Sequence, residues 1–159
     1  MRNVEVYLIC PVRNITEGQQ TKLDKYVKNL ESNNYNVHYP PRDVDQRQEG
    51  FNILFKHRDA MRHCDEVHIW WDGDSKGSHF DLGMAFMLRM FRPITLKFVV
   101  ANDITETEYK SFENVILQLA NMDAENIDNS RQRTHVEKIQ DELDEIPRSP
   151  NQEMTLKIV

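Results

Sequence analysis

The sequence predicts an α/β protein in which a parallel sheet of about five strands is flanked by helices. Short apolar runs rich in branched and aromatic residues alternate with longer segments whose apolar residues have helical spacing. The first run, Val4 to Cys10, is almost continuously apolar, which is typical of a strand covered on both faces. Because strands that alternate with helices of this length are joined by right-handed crossovers, the sheet is expected to be parallel.

The elements follow one another at short intervals. An amphipathic helix is predicted from Gln19 to Asn33, because its apolar residues recur on one helical face. A short strand over 36–39 is stopped by two prolines, and the polar segment 42–50 has no periodicity and is predicted to be a loop. The remaining predicted elements are a helix over 51–64, a strand over 66–71, a helix over 81–91, a strand over 94–100 and a helix over 106–121.

These elements place one α/β domain over residues 1–121. The C-terminal part, 122–159, is predicted to pack on the same domain as a polar region with a charged helix over 134–145 and a fifth or edge strand over 154–159. The order of elements is that of a flavodoxin-like or Rossmann-like fold. Ligands of such open sheets bind at the carboxyl ends of the strands, where the strand order reverses.

Composition excludes several classes of function. The net charge of −6 argues against a nucleic-acid polymer as partner, which would require a basic surface. No segment approaches the roughly 20 apolar residues of a membrane span, and the N-terminal apolar run is too short for a signal peptide. We therefore expect a cytoplasmic protein without membrane contact. Cys10 and Cys64 lie in apolar contexts and are expected to be buried free thiols.

The region 55–86 carries the residues from which chemistry is expected. A predicted buried strand runs into a polar turn and then into a helix that begins near Asp81, so backbone N–H groups and the helix dipole converge at that point. Four carboxylates come close to this strand end: Asp59, Asp72, Asp74 and Asp81. The pattern predicts a small-ligand site.

Two of these carboxylates have a functional and a structural interpretation. Asp81 could be a nucleophile that attacks the anomeric carbon of a sugar, or a charge that stabilises a helix N-terminus. Asp59 could be a general acid or base, or a ligand of a sugar hydroxyl, but it could also pair with Arg58 or Arg62 on the surface. Asp72 and Asp74 are expected to be turn residues or to have a secondary place in the pocket.

Other residues near the turn are open to the same two interpretations. Arg13 is a candidate phosphate ligand or a solvated loop residue, and Trp71 either covers the pocket or packs in the core. Three turn residues could cradle a phosphate or a sugar hydroxyl, or form an ordinary turn: Ser75, Gly77 and Ser78. Three histidines nearby, His63, His68 and His79, have no zinc-motif spacing, so no metal site is expected.

Four segments in order, VYLICPVRN, HYPPRD, RDAMRHCDEVHIWW and SKGSHFDLGMAF, resemble the nucleoside 2-deoxyribosyltransferase family. The resemblance covers roughly residues 4–100 and includes the branch that hydrolyses nucleoside 5′-monophosphates. It implies that Asp81 stands at the position of the family's glutamate nucleophile and Asp59 at that of an acid assisting at the sugar or base. Substrate-binding positions are implied at Tyr7, Pro11, Arg13, Asp43, Trp71, Ser75, Gly77 and Ser78, with Ser75 and Arg13 near the 5′-phosphate.

The resemblance also implies a homodimer or higher homo-oligomer, a nucleoside or nucleotide as the small-molecule partner, and no cofactor. Its main departure is Asp81, which is about 1.5 Å shorter than glutamate, or one carbon–carbon bond. The hypothesis is therefore an enzyme that hydrolyses or transfers at an N-glycosidic bond. The alternatives are a non-catalytic module that binds or sequesters a nucleotide, and an enzyme that cleaves NAD-like dinucleotides.

Overall fold

The computed structural model describes residues 2–100, 104–108 and 110–121. The strands of this part are β1 (Val4–Ile9), β2 (Tyr35–His38), β3 (Glu66–Trp70) and β4 (Thr95–Val100). Its helices are α1 (Glu17–Ser32), α2 (Pro40–Asp43), α3 (Gly50–His63), α4 (Lys76–Phe91) and α5 (Phe112–Asn121). The helix predicted over 134–145 and the strand predicted over 154–159 lie outside the described residues.

The four strands form one parallel sheet in the order β2-β1-β3-β4. The predicted fold class is confirmed, with four strands in the described part of the chain where about five were expected. Because β1 pairs with β2 on one side and with β3 on the other, the strand order reverses beside the carboxyl ends of β1 and β3. An open sheet of this kind binds its ligands at such a point.

Alternation along β1 explains why its residues 6–9 are all apolar. Val6 and Leu8 point to the face covered by α1, whereas Tyr7 and Ile9 point to the face covered by α3 and α4. All four side chains are almost fully buried. Since both faces of the central strand are covered by a core, successive residues contribute alternately to the two cores. Residues 6–9 therefore have no polar side.

Helix α4 begins earlier than the sequence suggested. The prediction that it begins near Asp81 is wrong, because Ser75 caps it: the Ser75 hydroxyl accepts a hydrogen bond from the Ser78 backbone N–H at 3.2 Å. Gly77 and Ser78 therefore belong to its first turn. Asp81 lies about 9 Å along the axis from Ser75, at 1.5 Å per residue, and does not serve as an N-terminal charge.

Two other segments differ from the sequence prediction. Helix α2 takes in Arg42 and Asp43, the first two residues of the segment expected to be a loop, and the Asp43 carboxylate accepts a hydrogen bond from the Tyr39 backbone N–H at 2.7 Å. Helix α5 begins at Phe112 and not at residue 106. Among the described residues, no helix is long and apolar enough to cross a membrane.

Candidate functional site

A cavity of about 810 Å³ lies at the carboxyl ends of β1 and β3, and we call it the strand-end cavity. The loops after β1 and β3, the start of α4 and part of the chain before and within α5 form its walls. The structure brings four of the predicted site residues together here: Pro11, Arg13, Trp71 and Ser75. Its position is the one that the strand order predicts for a ligand site.

The strand-end cavity is polar and mixed in charge. Arg13 is the cationic residue of its described lining, and three carboxylates share the walls: Asp72, Asp74 and Glu113. The Asp72 carboxylate accepts a hydrogen bond from the Asp74 backbone N–H at 2.9 Å, which makes it part of the turn after β3. A strongly anionic ligand would therefore meet one guanidinium and several negative groups.

Trp71, which lines this cavity, belongs to a cluster of aromatic rings. The Trp71 ring packs against His79 of α4 with centroids 4.6 Å apart, and His79 stacks on Phe112 of α5 at 5.0 Å. The His79 Nδ1 contacts the Ser75 carbonyl oxygen at 2.8 Å and donates to it, because a carbonyl only accepts. The ring of Trp71 is thus held in place by its neighbours beside the cap of α4.

The carboxylate of Asp81 lies deeper, between the sheet and α3. Its Oδ2 accepts a hydrogen bond from the Tyr7 hydroxyl at 2.9 Å, and the His57 Nδ1 lies 3.1 Å from Oδ2 and 3.3 Å from Oδ1. Asp81 is 5% exposed and His57 8%. These three side chains, which we call the Tyr7–Asp81–His57 cluster, do not line the strand-end cavity.

Protonation in this cluster follows from its burial. Desolvation raises the pKa of Tyr7 well above its usual value, and the nearby Asp81 charge and the hydrogen bond to Asp81 raise it further. Tyr7 therefore stays protonated and donates to Asp81. In the form of the cluster with Asp81 ionised, the carboxylate only accepts, and the hydrogen between His57 and Asp81 belongs to the His57 Nδ1. Asp81 is held by two donors from two different elements.

A second imidazole flanks the cluster. His38, at the end of β2, stacks on the Tyr7 ring with centroids 5.3 Å apart, and His57 meets the same ring edge-on at 6.0 Å. Burial lowers the pKa of His38, with the nearby Asp43 charge acting in the opposite direction. The Nε2 atoms of His38 and His57 are buried and have no hydrogen-bond partner among the described residues.

Four predicted site residues lie outside both the strand-end cavity and the cluster: Gly77 and Ser78, in the first turn of α4, and Asp43 and Asp59. Asp59 is on the outer side of α3, with 54% of its side chain exposed and its Oδ1 2.7 Å from the Arg58 Nη2. Together with Asp43 it lines a smaller cavity of about 360 Å³ between β2 and α3. Asp43 is itself engaged by Arg42 at 2.7 Å. The structure therefore does not bring Asp59 to Asp81.

His57 is the site residue that sequence reasoning missed. It lies on the buried face of α3 with Met61 and Cys64, at the i, i+4 and i+7 positions of one stripe. A histidine in an apolar helical stripe indicates a buried polar group that needs a partner. Asp59, the acidic residue two positions along, fitted the resemblance better. The fold selects His57 because its side of α3 faces Tyr7 and α4.

The described residues contain no group of three histidine, cysteine or acidic side chains arranged to hold a metal ion. His68, fully buried in β3, lies 2.8 Å from the Tyr26 hydroxyl and 2.7 Å from a Glu66 carboxylate oxygen. Both of its ring nitrogens are thus used within the fold.

Comparison with known proteins gives matches among solved structures only. No family model matches the sequence, and neither does any curated protein. The CMP N-glycosidase BcmB of Clostridium botulinum matches with a TM-score of 0.50 and 15% identity, over 86% of this chain and 98% of that one. A 2-deoxyribosyltransferase from Leishmania mexicana matches with a TM-score of 0.47 and 19% identity, over 60% of this chain and 63% of that one.

These likenesses are likenesses of fold. The chain spans about 63% of the length of the Leishmania protein, and the identities are far below those at which activity could be transferred. The resemblance to nucleoside 2-deoxyribosyltransferase-like proteins, including the N-glycosidase branch, is confirmed at the level of the fold.

Proposed function

We propose that this protein cleaves or transfers at the N-glycosidic bond of a nucleoside or nucleotide, with Asp81 as the nucleophile. The observation that carries the proposal is the environment of Asp81: a carboxylate 5% exposed, held by the Tyr7 hydroxyl and the His57 imidazole. A carboxylate buried for structural reasons alone would be expected to pair with a permanent cation, and this one accepts from two groups that can remain neutral.

The chemistry uses the less engaged oxygen. Oδ2 is bound at 2.9 and 3.1 Å, whereas Oδ1, among the described residues, has only the longer His57 contact at 3.3 Å. Oδ1 would form a bond to C1′ while the C1′–N bond breaks, and the base would leave with the bonding electrons and take a proton from solvent. Water or a second base would then displace the ester and restore the carboxylate.

The substrate's remaining groups fit the strand-end cavity. Ser75, Arg13 and the first backbone N–H groups of α4 would bind the 5′ end, and Trp71 would pack on the ring of the sugar or base. Since three carboxylates share this cavity, we expect an uncharged 5′-hydroxyl to be preferred over a 5′-phosphate. Asp59 is left out of the mechanism because it lies on the outer side of α3.

The homo-oligomer implied by the resemblance also remains a proposal. An apolar groove between α3 and α4 is lined by Met61, Phe80, Gly83, Met84, Met87 and Phe91. Phe80, Met87 and Phe91 are each more than half exposed. We propose that a second copy of this chain covers it, because Gly83 has open space around its α-carbon and would allow a helix to approach closely.

The test is release of free base. The protein is incubated with a panel of ribo- and deoxyribonucleosides, their 5′-monophosphates and NAD, and products are separated by liquid chromatography. We expect release from at least one nucleoside or monophosphate, and loss of release in Asp81→Ala. Asp45→Ala is the matched control, because this exposed carboxylate pairs with Arg47 outside the strand-end cavity and the Tyr7–Asp81–His57 cluster.

One observation favours a binding protein without catalysis: Asp81 does not line the strand-end cavity. That alternative predicts calorimetric binding of a nucleoside or nucleotide without base release, and unchanged affinity in Asp81→Asn. Release of nicotinamide from NAD alone would instead identify a dinucleotide glycohydrolase. Each of these results would contradict the proposed reaction.

A further inference from the structure

We infer that His57 is the positioning residue of this site: its Nδ1 fixes the Asp81 carboxylate and thereby adapts the site to a short nucleophile. The inference rests on the proposed function for its kinetic consequences. The hydrogen bond from the His57 Nδ1 to Asp81, on which the inference depends, can be tested by a measurement that does not require enzymatic activity.

The geometry supports a positioning role. Tyr7 donates from β1 and His57 from α3, so the carboxylate plane is fixed from two directions. Both donors converge on Oδ2, at 2.9 and 3.1 Å, which leaves Oδ1 with the weaker contact. Without His57, a single hydrogen bond to Tyr7 would allow the carboxylate to rotate about χ2, a torsion with broad preferences.

The side chains of His57 and Asp81 are matched in size. A glutamate at position 81 would extend about 1.5 Å further toward its partners. The gaps from Oδ2 to the Tyr7 hydroxyl and to the His57 Nδ1 are only 2.9 and 3.1 Å, so they leave no room for that extension. The imidazole of His57 thus occupies space that a longer acid would need.

Burial makes this contact consequential. With His57 8% exposed and Asp81 5% exposed, solvent cannot replace the hydrogen bond. A buried acceptor that loses its donor keeps the desolvation cost of burial without the hydrogen bond that offset it, and the cost is larger for a charged group. A purely structural role would move stability alone, whereas a positioning role also lowers turnover while leaving substrate affinity nearly unchanged.

The other ring nitrogen supplies the rival interpretation. The His57 Nε2 is buried and has no partner among the described residues, so it could instead contact the substrate. Two substitutions separate the two nitrogens. In His57→Asn the side-chain amide lies near the place of Nδ1, and in His57→Gln it lies near the place of Nε2.

The kinetic experiment compares kcat and KM of both variants with those of the wild type, on the best substrate of the panel. We expect His57→Asn to retain kcat within about tenfold and His57→Gln to lose about a hundredfold, the cost of a misplacement of about 1 Å, with KM changed little in both. Retention in His57→Gln with loss in His57→Asn would overturn the inference in favour of a substrate contact. Unchanged kcat in both would overturn it as well. Thermal unfolding of both variants confirms that each is folded.

The experiment without activity uses the full chain with ¹⁵N-labelled histidine. In the wild type we expect a slowly exchanging His57 Nδ1–H signal that is lost in Asp81→Ala, with His68 as internal reference. Absence of this signal in the wild type would overturn the inference. If the wild type cleaves no compound of the panel, the proposed function fails. The spectrum still shows whether the His57 Nδ1 donates a hydrogen bond to Asp81.

Discussion

Lengthening the proposed nucleophile, Asp81, is the most informative single change. In Asp81→Glu the carboxylate would move about 1.5 Å toward the Tyr7 hydroxyl and the His57 Nδ1, which lie 2.9 and 3.1 Å from the present Oδ2. Contacts of about 1.5 Å are impossible, so the longer side chain must rotate away or push α3 outward. Although the resemblance places a glutamate here, the structure predicts that glutamate is the worse residue in this chain.

The magnitude has two parts. A displacement of about 1 Å from the productive geometry costs about a hundredfold in rate. An extra methylene in a packed position also costs about 1–3 kcal/mol of unfolding free energy, and Asp81 is buried in contact with Tyr7 and His57. We therefore expect both a lower rate of base release and a lower denaturation midpoint.

The assay measures kcat for base release and the urea denaturation midpoint of wild type, Asp81→Glu and the control Asp45→Glu. The control adds the same methylene to an exposed carboxylate and should change neither quantity. If Asp81→Glu releases base as fast as the wild type or faster, the argument that His57 and Asp81 are matched in size is refuted. The coupling between positions 57 and 81 can be measured in a double-mutant cycle with His57→Ala. We expect Asp81→Glu to lower the denaturation midpoint less when the imidazole is absent.

Three further outcomes follow from the described contacts. The hydrogen bond from the Glu5 backbone N–H is the main cause that lowers the pKa of Asp65. The ionised Asp65 carboxylate therefore stabilises the folded protein at neutral pH, and this contribution is lost as the pH falls through the folded-state pKa of Asp65. Asp65→Asn should accordingly lower the unfolding free energy by about 1 kcal/mol at pH 7 and by less at pH 3, measured with urea; an equal loss at both would contradict this. Burial raises the pKa of Cys10 to about 12 and of Cys64 to about 11, so neither thiol should react with a disulfide reagent at pH 8 until the protein is unfolded. Met87→Lys should convert an oligomer to monomer in sedimentation, and an unchanged mass would reject the proposed interface.

Periodicity determined the class of the fold, because a run such as β1, apolar on both faces, has few alternatives to a central parallel strand. It placed most elements within a few residues. It failed at α4, where Ser75 caps a helix through a side-chain contact that a turn-like composition concealed. Propensity alone does not distinguish a serine that caps a helix from a serine in a turn, because both use the same local hydrogen bonds.

For the candidate site, the local motif pointed to Asp81 and to the residues near Ser75 because they follow β3 closely in the chain, and chain proximity carries Ser75 to the carboxyl end of that strand. The sequence did not show which of Asp59 and His57 contacts Asp81. They are two positions apart on α3, and the rotation between them, about 200° around the helix, sends one to solvent and the other to Asp81. The sequence by itself determined the parallel sheet and the acid beside its strand end. Only the tertiary structure decided which side chain of α3 holds that acid, because this depends on which face of the helix packs against Tyr7 and α4.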